Sequence, residues 1–517
     1  MGFSWTPKQQ QVIQSRNRNI LVSAAAGSGK TAVLVERIIK LVLDDGEKCN
    51  IDEFVIVTFT KAAAAEMKQR IIAAFEELLE INQGNVHIEK QLVLIHQAQI
   101  TTIHGFCKQV IEQNFFRLDL EPGFRIGDEG ELSLLKKDVL DQILTLNYEE
   151  GEDSFFEYIN HYAPGKNDLE IENQILKLYE IAMGNPWPEK FLQSSGEKYR
   201  KGKEGEENFY LNEVVQVVLT EMASCKKALL CCMAIVEEDE TLLAYKKNLE
   251  SDLSQVDYIL QASDYVNLAQ RCNAYTASRL ATVKNCDDEE RKEFIKETRS
   301  EIKEEIKSLT KEYFFASPSI IERGIEQSGQ MVHVLIQLTL AFKKRFQEEK
   351  KKRNILDFND LEHMALSILV DAETQKPTEA ALEYQRKYRH IMIDEYQDSN
   401  LVQEILMTSI AGRGQEEHNI FMVGDVKQSI YRFRLARPEL FMDKYDRYQE
   451  NGEVEEKIIL HQNFRSRIEV LDVVNDIFSK IMKRDLGGVD YDEDASLVFG
   501  ATYPQGEKQN QFQAELV

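Results

Sequence analysis

Short, mainly apolar or β-branched runs alternate with longer segments of helical periodicity over the first 120 or so residues. Ile20–Val22, Phe54–Phe59 and Gln99–Ile103 read as buried strands, each followed by a helical pattern. From about residue 128 to 350 the strand signal fades and long charged helices take over. Glu289 to Thr310 is nearly all Glu, Lys, Arg and Ile, with opposite charges three and four apart, and reads as a solvated helix face. From about residue 388 the first pattern returns: His390–Ile393 and Asn419–Val423 are apolar and end beside acidic residues, and Lys457–Leu460 is a further strand. Alternation of this kind specifies an α/β fold, a parallel sheet with helices on both faces, here interrupted by a mainly helical insertion. The expected boundaries are 1–125 and 346–452 for the two parts of the first α/β domain, 126–345 for the insertion, and 453–517 for the start of a second α/β domain.

Composition adds constraints. The 517 residues exceed what one core holds. No apolar run approaches a membrane span; the longest is Ala228 to Val236. The seven cysteines show no metal-binding spacing, which fits free or buried thiols in a reducing cytoplasm. A net charge of −25 argues, by itself, against a nucleic-acid binder. A local groove can override the global charge, so the motifs decide.

The first of these is Ala24-Ala25-Ala26-Gly27-Ser28-Gly29-Lys30-Thr31, between the strand at 20–22 and a helix. Backbone N–H groups of such a loop cradle phosphate oxygens, and the helix N-terminus favours their charge. Lys30 reaches the β- and γ-phosphates of a nucleotide, and the Thr31 hydroxyl suits Mg²⁺. Ala24 stands where a glycine is usual, which requires a negative φ there. Asp394-Glu395 ends an apolar strand: one carboxylate suits the metal shell and the other the attacking water. Gln428, after the strand at 419–423, suits sensing the γ-phosphate, and Arg465 suits stabilising its charge from across a cleft. Thr58-Phe59-Thr60-Lys61 and Thr101-Thr102-Ile103-His104 end two further strands and offer hydroxyls, N–H groups and aromatics of the kind that hold single-stranded DNA. His104 alone reads as a structural histidine before it reads as a ligand. Tyr431-Arg432-Phe433-Arg434 interleaves aromatics with arginines, which also suits stacking on bases.

In this order the motifs resemble those of the superfamily 1 UvrD/Rep/PcrA helicases. Trp5-Thr6-Pro7-Lys8-Gln9 is similar to their glutamine motif, Ala24–Thr31 to motif I, Thr58–Met67 to motif Ia, Asp394–Asp398 to motif II, Val423–Tyr431 to motif III and Asn463–Ser466 to motif IV. Within that superfamily, Val423–Arg434 and Asn354–Leu361 are similar to the AddA and RecB helicase–nuclease subunits, with the AddA family favoured by the opening Trp-Thr-Pro-x-Gln and the triple Ala before Gly27; UvrD-type chains usually carry two further aspartates where Val426 and Lys427 stand. Ala32 replaces an arginine common in UvrD-type chains, and that contact is not carried over.

The resemblance implies a P-loop RecA-like fold with a 1B-like helical insertion and the start of a second RecA-like domain. It implies ATP with Mg²⁺, held by Ala24–Thr31, Gln9 at the adenine edge and Phe464 stacked on the base. The metal residues are Thr31 and Asp394, and the catalytic residues Lys30, Asp394, Glu395, Gln428 and Arg465. DNA contacts fall to Thr58, Phe59, Thr60, Thr102, His104 and Tyr431. The implied activity is 3′→5′ translocation on single-stranded DNA from duplex ends, with an AddB subunit, in cytoplasmic double-strand-break repair and with no membrane partner. A UvrD/PcrA-type repair helicase without nuclease, or a nucleotide-gated DNA-binding scaffold, fits the same motifs. Later helicase motifs and the RecB-like nuclease domain are not among these residues, so the chain is expected to be an N-terminal fragment that neither unwinds nor cuts by itself.

Overall fold

Alternation along the apolar strands decides the architecture. The computed structural model describes residues 5–44, 49–118, 120–121, 123–163, 165, 167–200, 208–283, 286, 288–412, 418–484, 488–501 and 503. Their strands are β1 (Asn19–Ala24), β2 (Phe54–Thr58), β3 (Gln99–Thr102), β4 (Arg125–Ile126), β5 (Ile355–Leu356), β6 (His390–Ile393), β7 (Ile420–Gly424), β8 (Glu455–Leu460), β9 (Gln462–Asn463) and β10 (Val498–Phe499). Six of them form one parallel sheet in the order β3-β2-β6-β7-β1-β8.

Successive side chains of a strand point to opposite faces. Leu21, Val55, Val57, Ile391, Ile393 and Met422 therefore pack on one side with Phe106, Leu361 and Leu406. Ile20, Val22, Ile56, Met392, Phe421 and Val423 pack on the other with Val33, Ile38 and Ile71. Burial on both faces is what crossover helices impose on a parallel sheet, and it explains why β2 and β7 are buried at every position.

Two compact units result: residues 1–139, 180–188 and 344–517, which contain the sheet, and residues 140–179 and 189–343. The insertion is thus not the continuous 126–345 segment expected, because residues 180–188 group with the sheet. In the sheet unit, β4 pairs in parallel with β5, so the chain leaves for the insertion and returns from it side by side. Beside β5, Lys350 is buried with its Nζ 2.7 Å from Asp357 Oδ2 and 2.6 Å from Asp360 Oδ2. The same two aspartates cap the helix Phe358–Leu369 reciprocally.

One strand lands elsewhere than expected. Lys457–Leu460, expected at the start of a second domain, lies within β8, the edge strand of the six-stranded sheet, in register with β1 from Asn19↔Glu455 to Ala24↔Leu460. Ile458 and Leu460 complete the core against Val12 and Val22. The apolar run marks a strand, but which sheet it joins depends on pairing with residues over 400 positions away. Residues 504–517, which close the expected 453–517 segment, lie outside the described residues.

Leu211, Val215, Val218, Met222, Cys225, Leu229, Cys232 and Val236 line the buried face of the helix Phe209–Glu238. The charge-rich helix Glu289–Tyr313 is solvated on one side only: Ile295, Thr298, Ile302, Ile306 and Leu309 are buried at spacings of three and four. Its Arg299 makes a largely buried 2.5 Å ion pair with Asp252. The seven cysteines are free thiols, five of them buried. Among the described residues no helix is long and apolar enough to cross a membrane.

Candidate nucleotide-binding and nucleic-acid site

Ligands of open α/β sheets bind beyond the carboxyl ends of the strands, and the motif residues gather there. The loop after β1 carries Gly27 at φ +71° and Gly29 at φ +81°. Alternate left-handed residues of this kind turn backbone N–H groups into one concavity. Ala24 is the last residue of β1, outside the positive-φ set, so its methyl is tolerated. The helix Lys30–Val42 starts from Gly29 with no side-chain cap and no acidic residue in its first turn. The Ser28 hydroxyl is buried with no hydrogen-bond partner among the described residues. These features fit a phosphate group.

Lys30 points across the loop to β6, with Nζ 3.1 Å from Glu395 Oε2 and 3.4 Å from Oε1. Glu395 is held at φ +51°, ψ 45°. A left-handed glutamate costs roughly 1–2 kcal/mol of backbone strain, the kind of outlier that collects at functional sites. Asp394 accepts the Glu395 N–H at 3.0 Å. Burial, and then the neighbouring Glu395, push the Asp394 carboxyl up to about 6 against the pull of Lys30. Asp398 is pushed up to about 6 by the same two causes. A carboxylate crowded by another and short of solvent is well matched to a divalent cation; among the described residues no cluster of three metal-ligating side chains forms on its own.

Gln428 donates to Asp425 Oδ2 at 2.8 Å, and Lys427 Nζ sits 2.9 Å from Asp425 Oδ1. Motif IV packs onto the phosphate loop itself. Asn463 Nδ2 donates to Ala26 O at 2.7 Å, Phe464 N donates to Gly27 O at 2.9 Å, and Asn463 Oδ1 accepts the Arg465 and Ser466 N–H groups at 2.8 Å each. A Cβ on Gly27 would lie 2.8–2.9 Å from Asn463 and Arg465, so only glycine allows the approach. The Arg465 side chain is exposed, with no ion pair among the described residues. Gln9 and Phe464 line one recess of about 170 Å³ together with Thr6, Pro7, Ser28 and Leu460. Gln9 accepts from Thr6 N at 3.0 Å and donates to Ser28 O at 3.0 Å, which leaves one amide hydrogen and one acceptor position for a ligand edge.

The expected DNA residues divide. Phe59 after β2 and Tyr431 after β7 meet with ring centroids 4.5 Å apart. Phe433, 76% exposed, continues the row at 5.9 Å from Tyr431, and Arg434 lies over both rings at 5.3 and 5.7 Å. The threonines are differently employed. Thr58 Oγ1 donates to Thr60 O, Thr60 Oγ1 caps the next helix by accepting Ala63 N–H, and Thr102 Oγ1 accepts Gly105 N–H. Their hydroxyls serve the chain's own backbone, the ordinary use of Thr at a strand-to-helix turn. His104 Nε2 lies 3.0 Å from the buried Glu362, and its ring packs on Phe358 at 4.8 Å. Burial works to raise the Glu362 pKa, yet hydrogen bonds from His104, Gln403 and Asn400 hold it below the usual carboxylate range. His104 is thus turned into the protein.

Glu362, Gln397, Asp425 and Asn463 had no role in the motif reading. Gln397 is buried, donating to Glu395 Oε2 and accepting Asp425 N–H, both at 3.0 Å. Its place inside Asp-Glu-Tyr-Gln-Asp is the available signal; its partner Asp425, just after β7, is not.

A doubly covered parallel sheet with a phosphate loop facing an Asp-Glu strand end defines a RecA-like P-loop nucleotide-binding domain. The model of the UvrD/REP helicase N-terminal domain matches residues 5–449, and the chain belongs to that family. It is similar to a protein of Lachnoclostridium phytofermentans named as the A subunit of an ATP-dependent helicase/nuclease, 42% identical over 97% of this chain and 37% of that protein. The proteins of the same name from Clostridium beijerinckii and Clostridium kluyveri are each 39% identical, over 99% and 97% of this chain and 42% and 41% of their own lengths. The chain thus spans about two fifths of the length of these relatives.

Proposed function

We propose that this chain is the ATP-driven motor portion of an AddA-type helicase–nuclease. It hydrolyses ATP to move 3′→5′ along single-stranded DNA entered from duplex ends, with an AddB-like partner, in cytoplasmic repair of double-strand breaks. The observation that carries the proposal is the meeting, at one end of one sheet, of Lys30 with Glu395 and of Phe59 with Tyr431. The names of the relatives favour a helicase–nuclease over a helicase alone.

In this reading the loop Ala24–Thr31 binds the phosphates, and Lys30 exchanges Glu395 for the γ-phosphate. Glu395, released from its ion pair, orients the attacking water and takes its proton. Thr31 and Asp394 are the residues that would hold Mg²⁺, which neutralises phosphate charge when bound. Gln428, fixed by Asp425, reads the γ-phosphate. Arg465, on a loop anchored to Ala26 and Gly27, adds positive charge. Gln9 and Phe464 take the adenine. Phe59, Tyr431 and Phe433 stack on successive bases; Thr58, Thr60, Thr102 and His104 shape the loops around that row. The acidic surplus lies away from the track, so local contacts govern DNA binding.

Salt dependence is the test. Phosphate contacts in the groove require single-strand affinity to fall steeply as salt rises, log–log slope about −0.7 per phosphate neutralised. A flat response would remove the DNA track from the proposal.

A further inference from the structure

Gln397 is 1% exposed, and its amide is fully committed. One N–H donates to Glu395 Oε2 at 3.0 Å, the other to Asp398 Oδ2 at 3.1 Å, and Oε1 accepts the Asp425 N–H at 3.0 Å. The approach requires the glycine before Asp425: a Cβ on Gly424 would overlap Gln397 Oε1. Among the described residues the Glu395 carboxylate has two hydrogen-bonding partners, Lys30 and Gln397. Asp425 in turn holds Gln428 through its carboxylate at 2.8 Å and through its carbonyl, which accepts Gln428 N–H at 2.8 Å. Three residues further on, Tyr431 packs on Phe59. A short path of hydrogen bonds thus runs from Lys30 through Glu395, Gln397 and Asp425 to the segment that carries the aromatic row.

We infer that Gln397 is the positioning residue that couples the nucleotide site to the DNA platform. The inference rests on the motor reading above and deepens it. An anionic phosphate competes for Lys30 and leaves Glu395 with Gln397 as its remaining partner. Any resulting shift of Glu395 is met by Gln397, whose other end is fixed to the backbone of β7's exit. Tyr431 rides on that exit, so its position and that of Glu395 are linked. Linkage makes the effect reciprocal: nucleotide changes DNA affinity by the same factor as DNA changes nucleotide affinity.

The test measures the dissociation constant of a fluorescent oligo-dT with and without the non-hydrolysable analogue AMP-PNP and Mg²⁺, and that of AMP-PNP with and without oligo-dT. In the unsubstituted chain both ratios are expected to agree, at about fivefold or more. In Gln397→Met both ratios fall to within about twofold of one, and each single-ligand affinity changes by less than the coupling does. Gln397→Glu keeps the volume and the acceptor for Asp425 N–H but leaves at most one O–H donor, so it cannot bridge Glu395 and Asp398 together. It is expected to lose coupling as well, and it serves if the Met variant melts early. Loss of structure alone would weaken both ligands without abolishing the ratio. Ratios unchanged in both variants overturn the inference and leave the motor reading intact. Absence of oligo-dT-stimulated hydrolysis and of coupling in the unsubstituted chain overturns the motor reading, and the inference falls with it.

Discussion

Asp394→Asn should stabilise the ligand-free protein while destroying its use of ATP. The carboxyl is crowded by Glu395 and largely shielded from water, and its pKa is pushed up from 3.8 to about 6. A carboxyl whose folded pKa is raised favours folding when protonated. Its benefit is complete below the unfolded value of 3.8 and is lost as pH rises through about 6. Two pKa units correspond to roughly 3 kcal/mol; discounted for the residual exposure of the side chain, about 1–2 kcal/mol remains. The substituted amide carries no charge to desolvate, and its oxygen still accepts the Glu395 N–H. Thermal melts of both proteins should nearly coincide at about pH 4, separate between about pH 4 and 6, and stay apart above that, the variant melting a few degrees higher. Saturating Mg²⁺ and nucleotide should narrow the gap, because the carboxylate then has a partner. A variant no more stable than the wild type at about pH 8, or a gap independent of pH, would refute this account of the Asp394 environment.

The aromatic row makes a second expectation: Phe59→Ala and Tyr431→Ala should each weaken oligo-dT binding by about 1–3 kcal/mol in a titration, and their effects should not add, since the rings touch. Additive losses would mean that the rings act separately. Lys350→Met should cost about 3–5 kcal/mol in denaturant unfolding, because Asp357 and Asp360 are left buried without their cation. The Asp360 carboxyl, already pushed up to about 6 by burial and then by Asp357, should take up a proton in that variant, so the loss should shrink toward acid pH.

Residues whose chemistry is local were readable from the chain alone. The runs at 54–58 and 420–424 mark buried strands because they are short and rich in β-branched and aromatic residues, and every position is buried. Gly27 and Gly29 mark the phosphate loop because their φ angles demand glycine. Asp394 and Glu395 follow from a strand that ends in two acids. Residues whose role is set by a distant partner were not readable. Gln397 acquires meaning from Asp425, 28 positions on, and Asn463 from Ala26, 437 positions back. The same holds for β8, whose apolar side chains announce a strand while its pairing with β1 assigns the sheet. Thr58, Thr60 and Thr102 show the opposite case. Their hydroxyls sit at the sheet edge where DNA is expected, and the adjacent turns and helix starts claim them first. His104 likewise has its partner in Glu362, 258 residues away and invisible to a reading by neighbours.

The central claim is that Lys30 and Glu395 form the catalytic half of a DNA-driven ATPase. Steady-state ATP hydrolysis, with and without oligo-dT, in the unsubstituted chain and in Glu395→Gln, tests it most directly. Turnover should rise with DNA in the former and fall by about 10²–10⁴ in the latter, with AMP-PNP still bound. Hydrolysis in Glu395→Gln within a few-fold of the unsubstituted rate, still stimulated by DNA, would contradict the assignment.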